Sequence, residues 1–245
     1  MRTVADLHTH TSACPHGHCT RAELILRARE RGLAAVGISE HVQANPDGVP
    51  MSYFENMKAW LPEVYGIRLL RGAEADICDW RGKLFLQRRY MKNLDYLIAS
   101  LHRHSLASAD RATVTRTWCG VAEDPAVDII GHCGRDPDRF AFEIDPVIRA
   151  FRDGGKTVEF NDSSFGREDH RKMCYLICEA CGKYGVPVII GSDAHYARSV
   201  GEAENCLRMI REVGLPESQV VNADLDRLMA WISAARAKKV ALAGR

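Results

Sequence analysis

The sequence has no apolar run of about 18 residues, so no segment is predicted to cross a membrane. Its first ten residues, MRTVADLHTH, lack the apolar core of a secretory signal peptide, and we therefore expect a cytoplasmic protein. Neither sign of charge is in excess, because 33 lysines and arginines are balanced by 32 aspartates and glutamates. Such a balance does not suggest a polyanion-binding surface, so nucleic acid is not favoured as a partner.

The chain also lacks any stretch rich in proline, glycine or serine that would divide it, and it contains no charge block or short repeat. We therefore expect a single domain over residues 1–245. The nine cysteines are an odd number, which argues against a disulfide framework in a chain without a signal peptide. Hydrophobic residues make up 46% of the chain, enough for a packed core. Whether the protein forms a homo-oligomer stays open.

Short apolar runs alternate with longer amphipathic runs along the chain. The apolar runs resemble strands buried on both faces, and they are Thr3–Leu7, Ala34–Ser39, Ile67–Ala75, Tyr96–Leu101, Val127–Gly131, Thr157–Asn161 and Pro187–Gly191. The first predicted helix opens with a Thr20–Glu23 capping box and ends near Arg31. The other predicted helices are Tyr53–Tyr65, Ala109–Ala122, Glu143–Asp153, Glu168–Tyr184, Gly201–Val213 and Asp224–Ala237. This alternation predicts an α/β fold with seven βα units, a closed or nearly closed TIM-like barrel, with a doubly wound open sheet as the rival.

Histidine and acidic residues lie at or just beyond six of the seven predicted strand ends. They are His8, His10, His16, His41, Glu74, His102, His132, Asp193 and His195. The C-terminal ends of parallel strands in a barrel point to one face, so these side chains should meet there. Imidazole and carboxylate groups suit Zn²⁺ and neighbouring metals, and nine of them are too many for one tetrahedral ion. The sequence therefore predicts a cluster of two or three divalent ions.

The run DLHTHT at positions 6–11 resembles the opening motif of the PHP family, named for polymerase and histidinol phosphatase. The segments Ile38–His41, Gly72–Asp76, Leu101–His102, Gly131–His132 and Gly191–His195 are similar to the family's later motifs, in the right order. One departure is Glu40, which stands where the family usually has aspartate. The resemblance runs from about Val4 to Arg227, and within the family it is strongest to the small stand-alone YcdX-like phosphoesterases.

This resemblance implies a distorted barrel with a trinuclear site, usually of zinc, although manganese and iron also occur. It implies one ion on His8, His10, Glu74 and Asp193, a second on Glu74, His102 and His132, and a third on His16, His41 and His195. All nine positions carry the residue types of the family, which argues for a working site. The implied activity is hydrolysis of the phosphate monoester of a small molecule.

Two ions about 3.5–4 Å apart can share a water molecule and lower its pKa to about 7, so that it attacks phosphorus. Glu74 would bridge such ions, and we hypothesise that Asp193 takes the proton of the attacking water; a role as ligand alone is the alternative. Candidate contacts to the substrate phosphate are Arg103, Arg135, Ser163 and Ser164, for which surface or turn roles are equally open.

Other functions and other ligands stay in view. Related barrels use similar clusters to hydrolyse C–N or carboxyl ester bonds, often with a carbamylated lysine as the bridge, and Glu74 at that position favours the phosphatase. A phosphodiesterase or exonuclease and a non-enzymatic metal-binding scaffold are further alternatives. Either His18 or His104 could replace one of the ligands. Partners for ligand imidazoles are expected among Asp6, Glu40 and Asp76.

Three cysteines, Cys174, Cys178 and Cys181, have a spacing similar to that of an iron–sulfur motif. However, this spacing places them on one face of the predicted helix Glu168–Tyr184. Small, weakly polar cysteine side chains pack well on a buried helix face. We therefore expect these thiols in the core.

Overall fold

The computed structural model describes residues 1–42 and 46–244. Its strands are β1 (Ala5–Asp6), β2 (Ala35–Ile38), β3 (Glu63–Val64), β4 (Ile67–Arg71), β5 (Glu74–Asp76), β6 (Ile98–Ser100), β7 (Ile129–Ile130), β8 (Thr157–Asn161) and β9 (Val188–Gly191). Its helices are α1 (Arg21–Glu30), α2 (Met51–Asn56), α3 (Arg88–Met91), α4 (Arg111–Glu123), α5 (Pro137–Phe140), α6 (Ile144–Asp153), α7 (Glu168–Tyr184), α8 (Glu204–Val213) and α9 (Leu225–Ala243). None of the helices in the described ranges is long and apolar enough to cross a membrane.

The strands form a ring made of two sheets, ordered β1-β2-β4-β3 and β5-β6-β7-β8-β9. Neighbouring strands pair in parallel, except that β3 is antiparallel to β4. Two single bridges join the sheets: His41 pairs with Glu74, and Thr9 pairs with Ala194. Because β4 and β5 follow each other as one interrupted strand, the ring has seven parallel positions. The predicted α/β class and distorted TIM-like barrel with seven βα units are confirmed.

The predicted helix Tyr53–Tyr65 is wrong in its second half. Helix α2 ends at Asn56, and the chain then turns back as β3 to pair with β4. Tyr65 and Gly66, which have φ angles of 54° and 79°, form the tight turn between these two strands. Positive φ at both turn positions matches the twist of an antiparallel hairpin, and glycine at the second position adopts it without steric cost.

The long helices pack outside the ring in chain order, with α4 on α6, α6 on α7 and α7 on α8. The capping box at Thr20 and Glu23 is present at the start of α1. Cys174, Cys178 and Cys181 are free thiols buried on α7, which confirms that they belong to the core.

A buried ion pair links α9 to the side of the ring where the strands begin. Lys239 is fully buried on α9, and its ammonium donates to the carboxylate of Asp128 and to the carbonyl of Ala126 at 2.9 Å. Asp128 also accepts from the backbone N–H of Leu97 at 3.0 Å, just before β6. A charge so deeply buried is tolerated because each partner offsets the other's desolvation.

Candidate metal centre

The histidine and acidic side chains singled out from the sequence lie together, most of them just beyond the C-terminal ends of parallel strands, and Glu74 at the first residue of β5. Glu74 is fully buried at their centre, with Oε2 at 3.3 Å from His8 Nε2 and 3.5 Å from His10 Nε2. Asp193 presents Oδ1 to the same two nitrogens, at 3.4 Å and 3.2 Å. Ligand-type atoms of these four side chains therefore surround one point.

The second oxygen of Glu74 faces a different pair of imidazoles. Its Oε1 lies 3.0 Å from His132 Nε2 and 3.4 Å from His102 Nε2. Because Oε2 also lies 2.9 Å from His41 Nδ1, the two oxygens of Glu74 serve different groups of nitrogens. A carboxylate that bridges two ions needs this arrangement.

A third group of rings lies beside the first. The ring of His16 is 4.3 Å from that of His195 and 5.1 Å from that of His41, measured between centroids. His10 stacks at 4.4 Å on both His41 and His195, and the ligand atoms of these three lie within 4.8 Å of one another. The structure therefore places His10 between the first and third groups.

Many polar atoms of this cluster are buried without a hydrogen-bond partner among the described residues. They are His8 Nε2, His10 Nδ1 and Nε2, His16 Nδ1, His41 Nδ1, Glu74 Oε2 and His195 Nε2. Leaving a buried polar atom unpaired costs about 1–3 kcal/mol, so such atoms are rare in folded proteins. Their concentration at one place is explained if cations accept their lone pairs. The residues present thus fit a multinuclear metal site.

Carboxylates on the far side of the rings orient two of the imidazoles. Glu159 Oε1 lies 2.8 Å from His8 Nδ1, and Asp76 Oδ1 lies 2.7 Å from His102 Nδ1, so that each Nε2 faces the cluster. Glu159 also accepts from the backbone N–H of His132 at 3.1 Å. The sequence-based expectations did not include Glu159, although an acidic residue within the wholly buried β8 is an unusual feature.

The other two expected partners of ligand imidazoles serve different groups. Asp6 accepts from the hydroxyl and backbone of Ser192 and from the backbone of Gly201, which joins the ends of β1 and β9. Glu40 accepts from Thr11 and from the thiol of Cys14, and its Oε2 stays 3.9 Å from His10 Nδ1. Of the three expected partners, only Asp76 bonds an imidazole.

The electrostatics of the cluster leave free lone pairs on some of its side chains and favour a proton on others. Burial raises the pKa of Glu74 and Asp193, but neighbouring imidazoles, and for Asp193 first of all Arg135, outweigh it and hold both pKa values well below the usual range. Burial lowers the pKa of His10 well below its usual value, which leaves that ring neutral. Burial opposes the charged form of His102 too, yet Glu74 and then Asp76 raise its pKa to about 10. Metal uptake there would release a proton.

A cavity of about 170 Å³ opens over the cluster, lined by His16, His41, Asp47, His102, His104, Arg135, Asp193 and His195. Of the four candidate phosphate contacts, only Arg135 lines it. Arg103 forms an ion pair with Asp136 instead, and Ser163 and Ser164 bond to Arg135.

The two alternative histidines differ in their placement. His104 lines the cavity, with its Nε2 at 3.3 Å from Asp76 Oδ2 and its ring stacked on His102 at 5.2 Å. His18 stacks on Tyr196 at 4.3 Å and does not line the cavity. His104 is therefore the one that the structure brings to the cluster.

Comparisons with known proteins agree with this geometry. The sequence model of the PHP domain matches residues 6–163, and that of the PHP-associated family matches residues 174–212. A protein named probable phosphatase from Caldanaerobacter subterraneus subsp. tengcongensis is 34% identical over 239 residues, which cover 96% of this chain and 93% of the relative. Another from Thermoanaerobacter sp. is 33% identical over 241 residues, covering 97% and 98%.

A solved structure has a similar fold. Histidinol phosphate phosphatase from Lactococcus lactis subsp. lactis, in complex with zinc, L-histidinol and phosphate, superposes with a TM-score of 0.64. The superposition covers 88% of this chain and 95% of that one, at 14% sequence identity. At this identity the likeness shows the fold.

Proposed function

The chain belongs to the PHP domain family and is a metal-dependent phosphatase, and we propose that it hydrolyses the phosphate monoester of a small molecule at a site for three divalent ions. The observation that carries the proposal is the convergence of buried, unpartnered nitrogen and oxygen atoms on Glu74. The small cavity above them is lined by polar and charged residues, Arg135 among them, which suits a phosphate group. Zinc, phosphate and L-histidinol in the Lactococcus structure support the same classes of ion and substrate here.

We assign the ligands in three sets. The first is His8, His10, Glu74 and Asp193, the second is Glu74, His102 and His132, and the third is His16, His41 and His195. Supporting this division, the two oxygens of Glu74 face the first two sets separately, and the rings of the third set lie next to one another. Zinc is the preferred ion, and manganese or iron would also suit these donors.

When bound, the ions activate a water molecule and offset the charge of the phosphate oxygens. The chain's own residues prepare the site for this chemistry. Glu159 and Asp76 hold His8 and His102 so that each presents Nε2. Asp193 directs Oδ1 into the cluster from a backbone with a φ angle of 56°. Such a left-handed conformation costs a non-glycine residue about 1–3 kcal/mol and is characteristic of functional sites.

A substrate screen on protein of known metal content tests the proposed function. We expect p-nitrophenyl phosphate to be hydrolysed, a chelator to abolish the activity, and added Zn²⁺ or Mn²⁺ to restore it. Faster hydrolysis of bis-p-nitrophenyl phosphate would point to a phosphodiesterase instead. Hydrolysis of p-nitrophenyl acetate alone would favour a hydrolase of carboxyl ester or C–N bonds. No turnover of any substrate at full metal loading would favour a non-enzymatic metal-binding scaffold.

The role of Asp193 as proton acceptor is tested by Asp193→Asn, which keeps the shape of the side chain and removes its charge. If Asp193 takes the proton of the attacking water, turnover should fall about 10²–10⁴-fold at full metal loading. Metal content and turnover are measured on the same sample. Full activity of the Asp193→Asn variant at full metal loading would show that Asp193 does not accept the proton and acts as a metal ligand alone.

Three expectations stay predictions: the YcdX-like subgroup, the single domain over residues 1–245 and the cytoplasmic location. The sequence left the oligomeric state open. Limited proteolysis tests the domain organisation, and sedimentation tests the oligomeric state.

A further inference from the structure

Arg135 lies beside the cluster with its guanidinium bonded on several sides. Its Nε donates to Ser164 Oγ at 3.0 Å, and its Nη2 donates to Asn161 Oδ1 at 3.0 Å and to the hydroxyl of Ser163. Its Nη1 donates to Asp193 Oδ2 at 2.8 Å. Four of the five N–H groups of a guanidinium are used in these contacts. Arg135 is therefore fixed in one orientation by residues at the end of β8 and just after it.

Because of the contact with Arg135, the two oxygens of the Asp193 carboxylate have different partners. Oδ2 accepts from Arg135, while Oδ1 lies 3.4 Å from His8 Nε2 and 3.2 Å from His10 Nε2. A free carboxylate can give both oxygens to one ion. Here only Oδ1 is available to the cluster, because turning Oδ2 inward would break a charge-assisted bond to a largely buried guanidinium.

Of the seven strands predicted from the sequence, the one that corresponds to β8 has no expected ligand at its end. Nevertheless, Asn161 is buried there, and its Oδ1 accepts from Arg135 and from both the backbone and the hydroxyl of Ser163. This strand end thus contacts the cluster through the arginine. The serine hydroxyls, which the sequence suggested as phosphate contacts, are committed to the same network.

We propose that Arg135 is a positioning residue, which restricts Asp193 to a single oxygen toward the ions, and that Asn161, Ser163 and Ser164 hold Arg135 in place for this purpose. A carboxylate that gives one oxygen occupies one coordination position and leaves the next one for water or substrate. The inference rests on the proposed function in that it takes Asp193 as a metal ligand.

The test is the affinity of the full-length protein for Zn²⁺, measured by competition with a chromophoric chelator, with kcat and KM for p-nitrophenyl phosphate as second readouts. Arg135→Met should weaken the binding of one ion about 10–100-fold and lower kcat, because losing the partner of a metal ligand typically costs that much. Arg135→Lys should restore part of the affinity, since lysine keeps the charge but not the planar fork. Arg167→Met is the control, because Arg167 also pairs with a carboxylate, that of Asp169 on the surface, and its replacement should leave both readouts unchanged.

A double-mutant cycle tests whether Ser163 and Ser164 affect the metal site through Arg135. Replacing Ser163 and Ser164 together by alanine should weaken Zn²⁺ binding in the native background and add nothing to Arg135→Met. Additive losses would overturn the proposal, as would an Arg135→Met protein that keeps native Zn²⁺ affinity and shows only a raised KM, which would make Arg135 a substrate contact. A native protein that binds its ions without hydrolysing any phosphate ester would refute the proposed function alone, because the affinity readout would still decide the role of Arg135.

Discussion

Glu74→Gln is expected to reduce phosphatase activity at least about a thousandfold, together with the loss of bound metal. Glutamine has the shape of glutamate but only one oxygen and no charge, so it cannot serve two groups of imidazoles at once. In the structure, Oε2 of Glu74 faces His8 and His10, and Oε1 faces His102 and His132. The measurement is kcat/KM for p-nitrophenyl phosphate beside the metal content of the same preparation.

Glu159→Gln provides the matched comparison for this change. Glu159 is also buried, but it contacts Nδ1 of His8, which faces away from the centre of the cluster. Its replacement should therefore lower kcat/KM only about 10–100-fold. Circular dichroism should show that both variants fold, since each exchange removes a buried charge and keeps the volume. An active Glu74→Gln protein with full metal content would show that this carboxylate does not bridge ions.

Asp128→Asn is expected to lower the free energy of unfolding by about 3–5 kcal/mol, the typical cost of breaking a buried ion pair from one side. The ammonium of Lys239 is fully buried, and its other bond is to a neutral carbonyl, that of Ala126. Removing the carboxylate would leave that charge without a counterion. Urea denaturation of metal-free protein measures the effect apart from any contribution of bound ions.

The double variant Asp128→Asn/Lys239→Met separates an ion-pair effect from a simple loss of packing. Replacing both charges together should recover most of the lost stability, because no uncompensated charge is left in the interior. Asp153→Asn is the surface control, since Asp153 pairs with Arg152 in solvent and should change stability little. A double variant as unstable as Asp128→Asn alone would show that the charges themselves do not matter.

The strand-end positions of the candidate ligands were predictable because they depend on one general property of parallel barrels. His41, Glu74 and His102 each follow or end an apolar run, and the ends of parallel strands meet whatever the details of the loops. The barrel class could be read from the same alternation. The contacts of Glu159 and Arg135 could not be predicted from the sequence, because they depend on the register between strands and on the path of a loop.

Turns were the least predictable part of the chain. The run Tyr53–Tyr65 has the apolar spacing of a helix, but Pro62 and the Tyr65–Gly66 turn redirect it into a strand. Similarly, the turn that carries Arg135 starts at His132, whose φ angle of 29° is uncommon for a residue other than glycine. A pattern of residue types does not reveal such backbone angles.

The two joints of the ring have a consequence for how the enzyme holds its shape. Each joint is a single bridge that lies among the candidate ligands. One joins His41 to Glu74, and the other joins Thr9, between His8 and His10, to Ala194, between Asp193 and His195. Ions bound there would link the two sheets across both of these joints. The same few side chains would then serve both catalysis and the closure of the barrel. In the metal-free protein, we expect the backbone hydrogen bonds at these two joints to open before those elsewhere in the ring.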